Sequence, residues 1–246
     1  MKKSTLFLLF ICILSVQVKA QSRNIDTVAV SLLDRMSAMI GDLKSCSATV
    51  KSCYDVATPD LGLVKHSDVE HVYVGGSDKL LIRSEGDKGN RYMSYNGQTL
   101  SYYSVDKNHY ARTKVPGSVV EMIDYMNKNY GIVFPMADFL YPTFVDDILA
   151  DATNLSMLGM TKVDGKECFH IAGTSKDKTF QFWIANDAFY LPVKLVIIYT
   201  NKPMTPQYEA VYSDWEINPV LPNSIFDFKA PANAKKIKLT PLSAKN

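Results

Sequence analysis

Between residues 47 and 114 the chain changes hydropathy with a period of two and is cut at short intervals by turn residues. This pattern constrains the fold most, because a period of two puts alternate side chains on opposite faces of a strand. Ala48, Val50, Ser52, Tyr54 and Val56 alternate with Thr49, Lys51, Cys53 and Asp55. Similar runs cover 68–74, 79–85, 91–95, 98–103 and 109–114. Between them stand Gly75-Gly76, Asp87-Lys88-Gly89-Asn90, Asn96-Gly97 and Asp106-Lys107-Asn108. Asn96-Gly97 between two alternating runs signals a two-residue hairpin, which requires positive φ at both positions. The whole stretch reads as an antiparallel meander.

Helical spacing occurs in two places. Val28, Leu32, Met36, Met39 or Ile40, and Leu43 form one apolar stripe, with Asp26 or Thr27 available as a cap. After Pro116-Gly117-Ser118, a second stripe runs through Val119, Met122, Ile123, Met126 and Tyr130 and ends at Gly131. Pro135–Tyr141 and Phe144–Ala150 read as two further helical pieces, the last with Asp146 and Asp147 in its first turn. Strand runs resume at 156–163, 168–173, 179–185, 192–199 and 208–216, with turns at Asp164-Gly165 and Asn186-Asp187. The expectation is a mainly β chain with helices (α+β) and about eleven strands. It forms a single domain over 21–246, with a proline-spaced tail (219–241) extended over the outside.

The first 20 residues read as a signal peptide. Lys2 and Lys3 precede an apolar run from Leu6 to Leu14, and Val18-Lys19-Ala20 offers a small-x-small exit. That run is shorter than the ~20 residues a spanning helix needs, which argues against an uncleaved anchor. Cleavage after Ala20 removes three of the 27 basic residues and leaves 24 against 25 acidic ones. A near-neutral chain without a basic run offers no footprint for nucleic acid. Cys46, Cys53 and Cys168 would remain. An odd number leaves at least one thiol unpaired, and any of three bridges, or none, fits the spacing. Buried thiols acting as small hydrophobes are the preferred reading.

A strongly curved sheet of this size cannot fill its concave face with strand side chains alone, so helices or a ligand must do so. Eleven residues are candidates for the wall of an apolar cavity: Leu80, Ile82, Tyr102, Met122, Met126, Phe139, Leu140, Phe180, Phe182, Leu195 and Ile197. The competing reading is an ordinary filled core. Arg35, Arg83 and Arg91 are either headgroup partners or plain surface charges. Catalytic signatures are missing from the sequence: there is no Gly-x-Ser-x-Gly, no His-Glu-x-x-His and no phosphate-cradling glycine loop. His66 and His71 are five apart and point to opposite faces of a strand. Asp147 and Asp151 share a helical face but have no histidine partner. The expectation is a non-catalytic protein with no metal and no cofactor.

Four stretches carry a resemblance to a known family. They are Ser77–Asp106, Tyr130–Tyr141, Leu191–Trp215 and Leu221–Pro231. Together they resemble a family of predicted exported bacterial proteins of unknown function. That family is similar in architecture to the periplasmic lipoprotein carrier LolA and to mycobacterial lipoproteins that carry glycolipids. The resemblance implies a single unclosed antiparallel β-barrel with helices plugging its concave face. It also implies a periplasmic location in a Gram-negative bacterium and a lipid or acylated (lipoprotein) ligand in an apolar cavity, with transient membrane contact. An envelope protein–protein interaction module with a filled core is the alternative, and a hydrolase a distant third.

Overall fold

The computed structural model describes residues 23–115 and 117–242. The expected signal peptide, Cys12 and Pro116 lie outside the described residues. Thirteen strands form one sheet in the order β1-β8-β9-β10-β11-β12-β2-β3-β4-β5-β6-β7-β13. The first half of the chain holds β1 (Asn24–Ile25), β2 (Ser45–Thr58), β3 (Gly62–Gly75), β4 (Leu80–Gly86), β5 (Arg91–Tyr95), β6 (Thr99–Ser104) and β7 (His109–Lys114). The second half holds β8 (Ala152–Val163), β9 (Lys166–Ser175), β10 (Thr179–Ala185), β11 (Pro192–Ile198), β12 (Gln207–Ile217) and β13 (Lys235–Lys236). Strands β2 to β12 are the eleven that periodicity reveals, each antiparallel to its neighbour. The two extra strands are two residues long and pair in parallel at either end of the sheet, β1 with β8 and β13 with β7. Two residues have no period to read, so the expected count falls short by these two. The end strands do not pair with each other, and the sheet stays unclosed.

Register slips at Met157–Gly159, Trp183–Ile184 and Ser213–Glu216 interrupt the second half, and such irregularities bend strands and increase their twist. The β5–β6 hairpin forms where expected, but its turn differs. Only Gly97 has positive φ, at 91°. Asn96 instead accepts from the backbone N–H groups of Gln98 and Thr99 through its side chain, and its amide donates to Asp227. The two-residue turn with both φ positive occurs at Asp164 (49°) and Gly165 (81°) between β8 and β9. Strand β3 begins six residues before the alternating run at 68, because it pairs with all fourteen residues of β2.

Helix α1 (Thr27–Gly41) is capped by Asp26, whose Oδ1 accepts from Val28 N–H and whose Oδ2 accepts from Met157 N–H on β8. One carboxylate thus starts the helix and fastens it to the sheet. Helix α2 (Val119–Tyr130) opens on a reciprocal Ser118–Glu121 capping box and closes at Gly131 with φ 67°. The expected helix at Pro135–Tyr141 is a single 3-10 turn, Ala137–Leu140, followed by α3 (Phe144–Asp151). Leu33 and Met36 of α1, Met122 and Met126 of α2 and Phe139 of the 3-10 turn are buried in one cluster with the inner face of the sheet. Phe139 packs edge-on against Phe144 and Tyr212, and Phe144 against Phe182. The helices therefore plug the concavity, as a curved sheet requires.

The tail crosses the outer face before turning inward. Tyr92, Tyr103 and Tyr110 stand in register on three adjacent strands, and the Phe228 ring lies against all three at 5.7–5.9 Å. Phe226 is buried and lies so close to Gly75 that a Cβ there would sit 2.9 Å from its ring. After β13, Leu239 reaches a cavity on the inner side, and Leu242 lies against Gly131.

Candidate functional site

The cross-strand registers build the concave face in rows. Cys46, Val74, Leu80, Tyr95 and Leu100 form a fully buried apolar row. Next to it run Ala48, Val72, Ile82, Met93 and Tyr102. The third row is Val50, Glu70, Ser84 and Arg91, and the fourth starts Ser52, Asp68. The inner wall thus turns from apolar to polar along β3, within one parity.

Helices and sheet meet incompletely and leave cavities among the described residues, three of which bear on function. The first, about 450 Å³, lies between Phe180 and Phe182 of β10, Leu195 and Ile197 of β11, and Ile123, Phe134, Phe144 and Ile148 of the helical layer. Asp124, Asp138, Asp147 and Asp151 edge it, with Lys178 3.7 Å from Asp151. Burial holds the Asp138 carboxyl above its usual range, against a lowering by Lys178. The second cavity, about 740 Å³, has Asp68, Glu70, Ser84 and Arg91 in its floor and Tyr102, Met93, Phe134 and Leu239 in its walls. The stretch Ile132–Phe134 borders both and separates them. The third, about 750 Å³, lies between the end of α1, the start of α2 and the Phe139–Pro142 segment.

The eleven sequence candidates divide among these places. Phe180, Phe182, Leu195 and Ile197 come together in the first cavity, Tyr102 lines the second, and Phe139 and Leu140 border the third. Leu80, Ile82, Met122 and Met126 are packed in the core and line none of the three. Of the three arginines, Arg91 lines the second cavity. Arg35 donates to the Tyr190 hydroxyl at 2.9 Å, and Arg83 stacks over Tyr73. His66 bonds Asp87 and His71 lies beside Thr49, consistent with opposite faces.

Sequence reading passes over the polar floor of the second cavity. Its signal is present: Asp68 and Glu70 share parity with Val72 and Val74, so two acids sit on a buried face. Asp68 accepts from Arg91 Nη2 at 2.6 Å and from the Tyr54 hydroxyl at 3.2 Å. Glu70 accepts from Ser84 Oγ at 3.1 Å. Burial pushes the Glu70 carboxyl up to about 7, the Ser84 bond lowering it only in part. Burial also raises the Tyr54 phenol to about 12 and the Tyr208 phenol higher still. Cys46 is buried with its thiol pushed up to about 11, Cys168 lies in a small cluster with Ala185 and Val193, and Cys53 is exposed; all three are free.

A family model described as "Predicted periplasmic protein (DUF2092)" matches residues 29–240. The chain belongs to this family. No curated protein sequence matches it significantly. Among solved structures, an uncharacterized conserved protein from Thermus thermophilus is 12% identical, with a TM-score of 0.48 over 86% of this chain and 99% of that one. The lipoprotein LppX of Mycobacterium tuberculosis is 14% identical, with a TM-score of 0.42 over 80% and 98%. A LolA superfamily protein from Nitrosomonas europaea is 12% identical, with a TM-score of 0.37 over 81% and 97%. The architecture of this family member rests on its own strand order and register, not on these likenesses. Among the described residues no helix is long and apolar enough to cross a membrane, and no cluster of His, Cys, Asp and Glu could hold a metal ion.

Proposed function

We propose that this chain is a non-catalytic periplasmic binding protein for lipid or acyl-chain ligands, exported by a leader cleaved after Ala20. The observation that supports it is the first cavity. Four apolar side chains of β10 and β11 face four of the helical layer across about 450 Å³ that no side chain fills. The space opens to solvent as a cleft, and ligand clefts fall in the range of about 300–1,000 Å³. Each methylene buried there gains ~0.8 kcal/mol, so an alkyl chain is a fitting occupant. The raised phenols and the raised Cys46 thiol are poorly disposed to act as nucleophiles near pH 7.

Native mass spectrometry of protein purified from a bacterial envelope tests this reading, followed by organic extraction. A bound mass in the lipid range that is lost on extraction is the expected result. A bare protein mass that takes up neither added phospholipid nor acylated peptide overturns it and favours an envelope interaction module.

A further inference from the structure

The second cavity holds a carboxylate that a purely apolar ligand leaves unused. Glu70 is 9% exposed and lies on the inner face between Val50 and Ser84. Its Oε1 accepts from Ser84, and no described residue donates to Oε2. Both other acids of this cavity are paired, whereas its Lys202 has no carboxylate partner among the described residues. Asp68 of the same strand is held by Arg91 of β5 and by Tyr54 of β2. On β12, Tyr208 and Tyr212 face it as neutral phenols, since burial raises both. At the rim, Asp55 pairs with Lys65 at 2.9 Å, and Lys202 lies 3.9 Å over the Tyr199 ring. Oε2 therefore faces the cavity without a donor among the described residues, in surroundings where burial already disfavours the charged form. An incoming cation with N–H donors relieves that deficit, whereas an anion adds like charge beside Asp68 and Glu70.

We propose that the second cavity binds amphiphiles carrying a primary ammonium group, which donates to Glu70 Oε2 while the hydrocarbon chain lies along Met93, Tyr102 and Phe134. This rests on the binding function proposed above and adds the headgroup class. Glu70 titrates near 7 in the empty site, so ammonium binding strengthens as pH rises through that value and Glu70 ionises. An alkylammonium itself keeps its proton to about pH 10.

Displacement of Nile red by dodecylamine, dodecanol and dodecanoate, below their micelle concentrations at pH 6 and pH 8, tests the assignment. Dodecylamine is expected to bind about tenfold tighter than dodecanol at pH 8. Its own affinity should rise about tenfold from pH 6 to pH 8, with dodecanol unchanged. Glu70→Gln should abolish both differences. Calorimetry on the unmutated protein provides a readout that does not depend on the variant folding: at pH 6, amine binding should release protons and alcohol binding should not. Equal affinity for amine and alcohol at both pH values overturns the proposal, as does tightest binding of dodecanoate. If none of the three displaces the probe, the binding function itself fails, and the headgroup assignment with it.

Discussion

Glu70 ties protonation to stability. Its carboxyl ionises near the ordinary 4.5 when unfolded and near 7 when folded. Between those values the folded state keeps a proton that the unfolded state has released. Stability therefore falls as pH rises from about 4.5 to about 7 and stays reduced above. Glu70→Gln removes this penalty. Thermal unfolding should show the variant more stable than the parent at pH 8, by on the order of 3 kcal/mol, and nearly equal at pH 4. Asp26 carries the opposite sign: N–H donation from Met157 and then Val28 lowers its carboxyl, so its contribution disappears only as pH falls below the usual carboxylate range. Arg91 is a different case, because removing it strands a buried partner. Arg91→Ala leaves Asp68 with the Tyr54 hydroxyl alone and should cost about 3 kcal/mol at pH 7 in denaturant unfolding. Parity in the sequence puts Asp68 and Glu70 on the buried face, but Arg91 lies on another strand, and its pairing with Asp68 depends on register across β4.

At the level of elements, local chemistry decides much. Ser118, Glu121 and Gly131 mark both ends of α2 in the sequence and do so in the structure. Period two finds all eleven long strands. Turn type is less legible, since Asn96 can satisfy its turn either by taking positive φ or by side-chain acceptance. The contact with Asp227, 131 residues away, accompanies the second solution. The tail is held by tertiary contacts alone: apart from a short 3-10 turn (Asn223–Ile225) and the two residues of β13, it has no regular structure. Phe226→Ala should cost about 3 kcal/mol by emptying a fully buried site. Phe228→Ala uncovers the tyrosine row and should make 219–242 the first segment cut in limited proteolysis. Equal cleavage rates in parent and variant would show that the ring does not hold the tail.

For the whole molecule, the decisive quantity is the volume left between sheet and helices. Ile197 lines the first cavity and is only partly buried. Ile197→Trp should fill that space, reducing the lipid retained per molecule in native mass spectrometry while keeping the melting temperature at or above that of the parent. Undiminished lipid in a folded Ile197→Trp protein would move the ligand to another cavity. The eight residues facing one another across that space come from β10, β11, α2, α3 and the Ile132–Phe134 stretch.

The sequence by itself determined the eleven long strands, the helices α1, α2 and α3, and the buried parity of strands such as β4 and β10, because those depend on near-neighbour periodicity and capping. It placed Phe180 and Leu80 alike on a buried face. Only the tertiary structure decided that Phe180 borders open space whereas Leu80 is enclosed by packed neighbours. It also decided that Asp68, Glu70 and Arg91 share one cavity floor. Void volume and desolvation arise from how closely separate elements approach one another, and no local pattern encodes that distance.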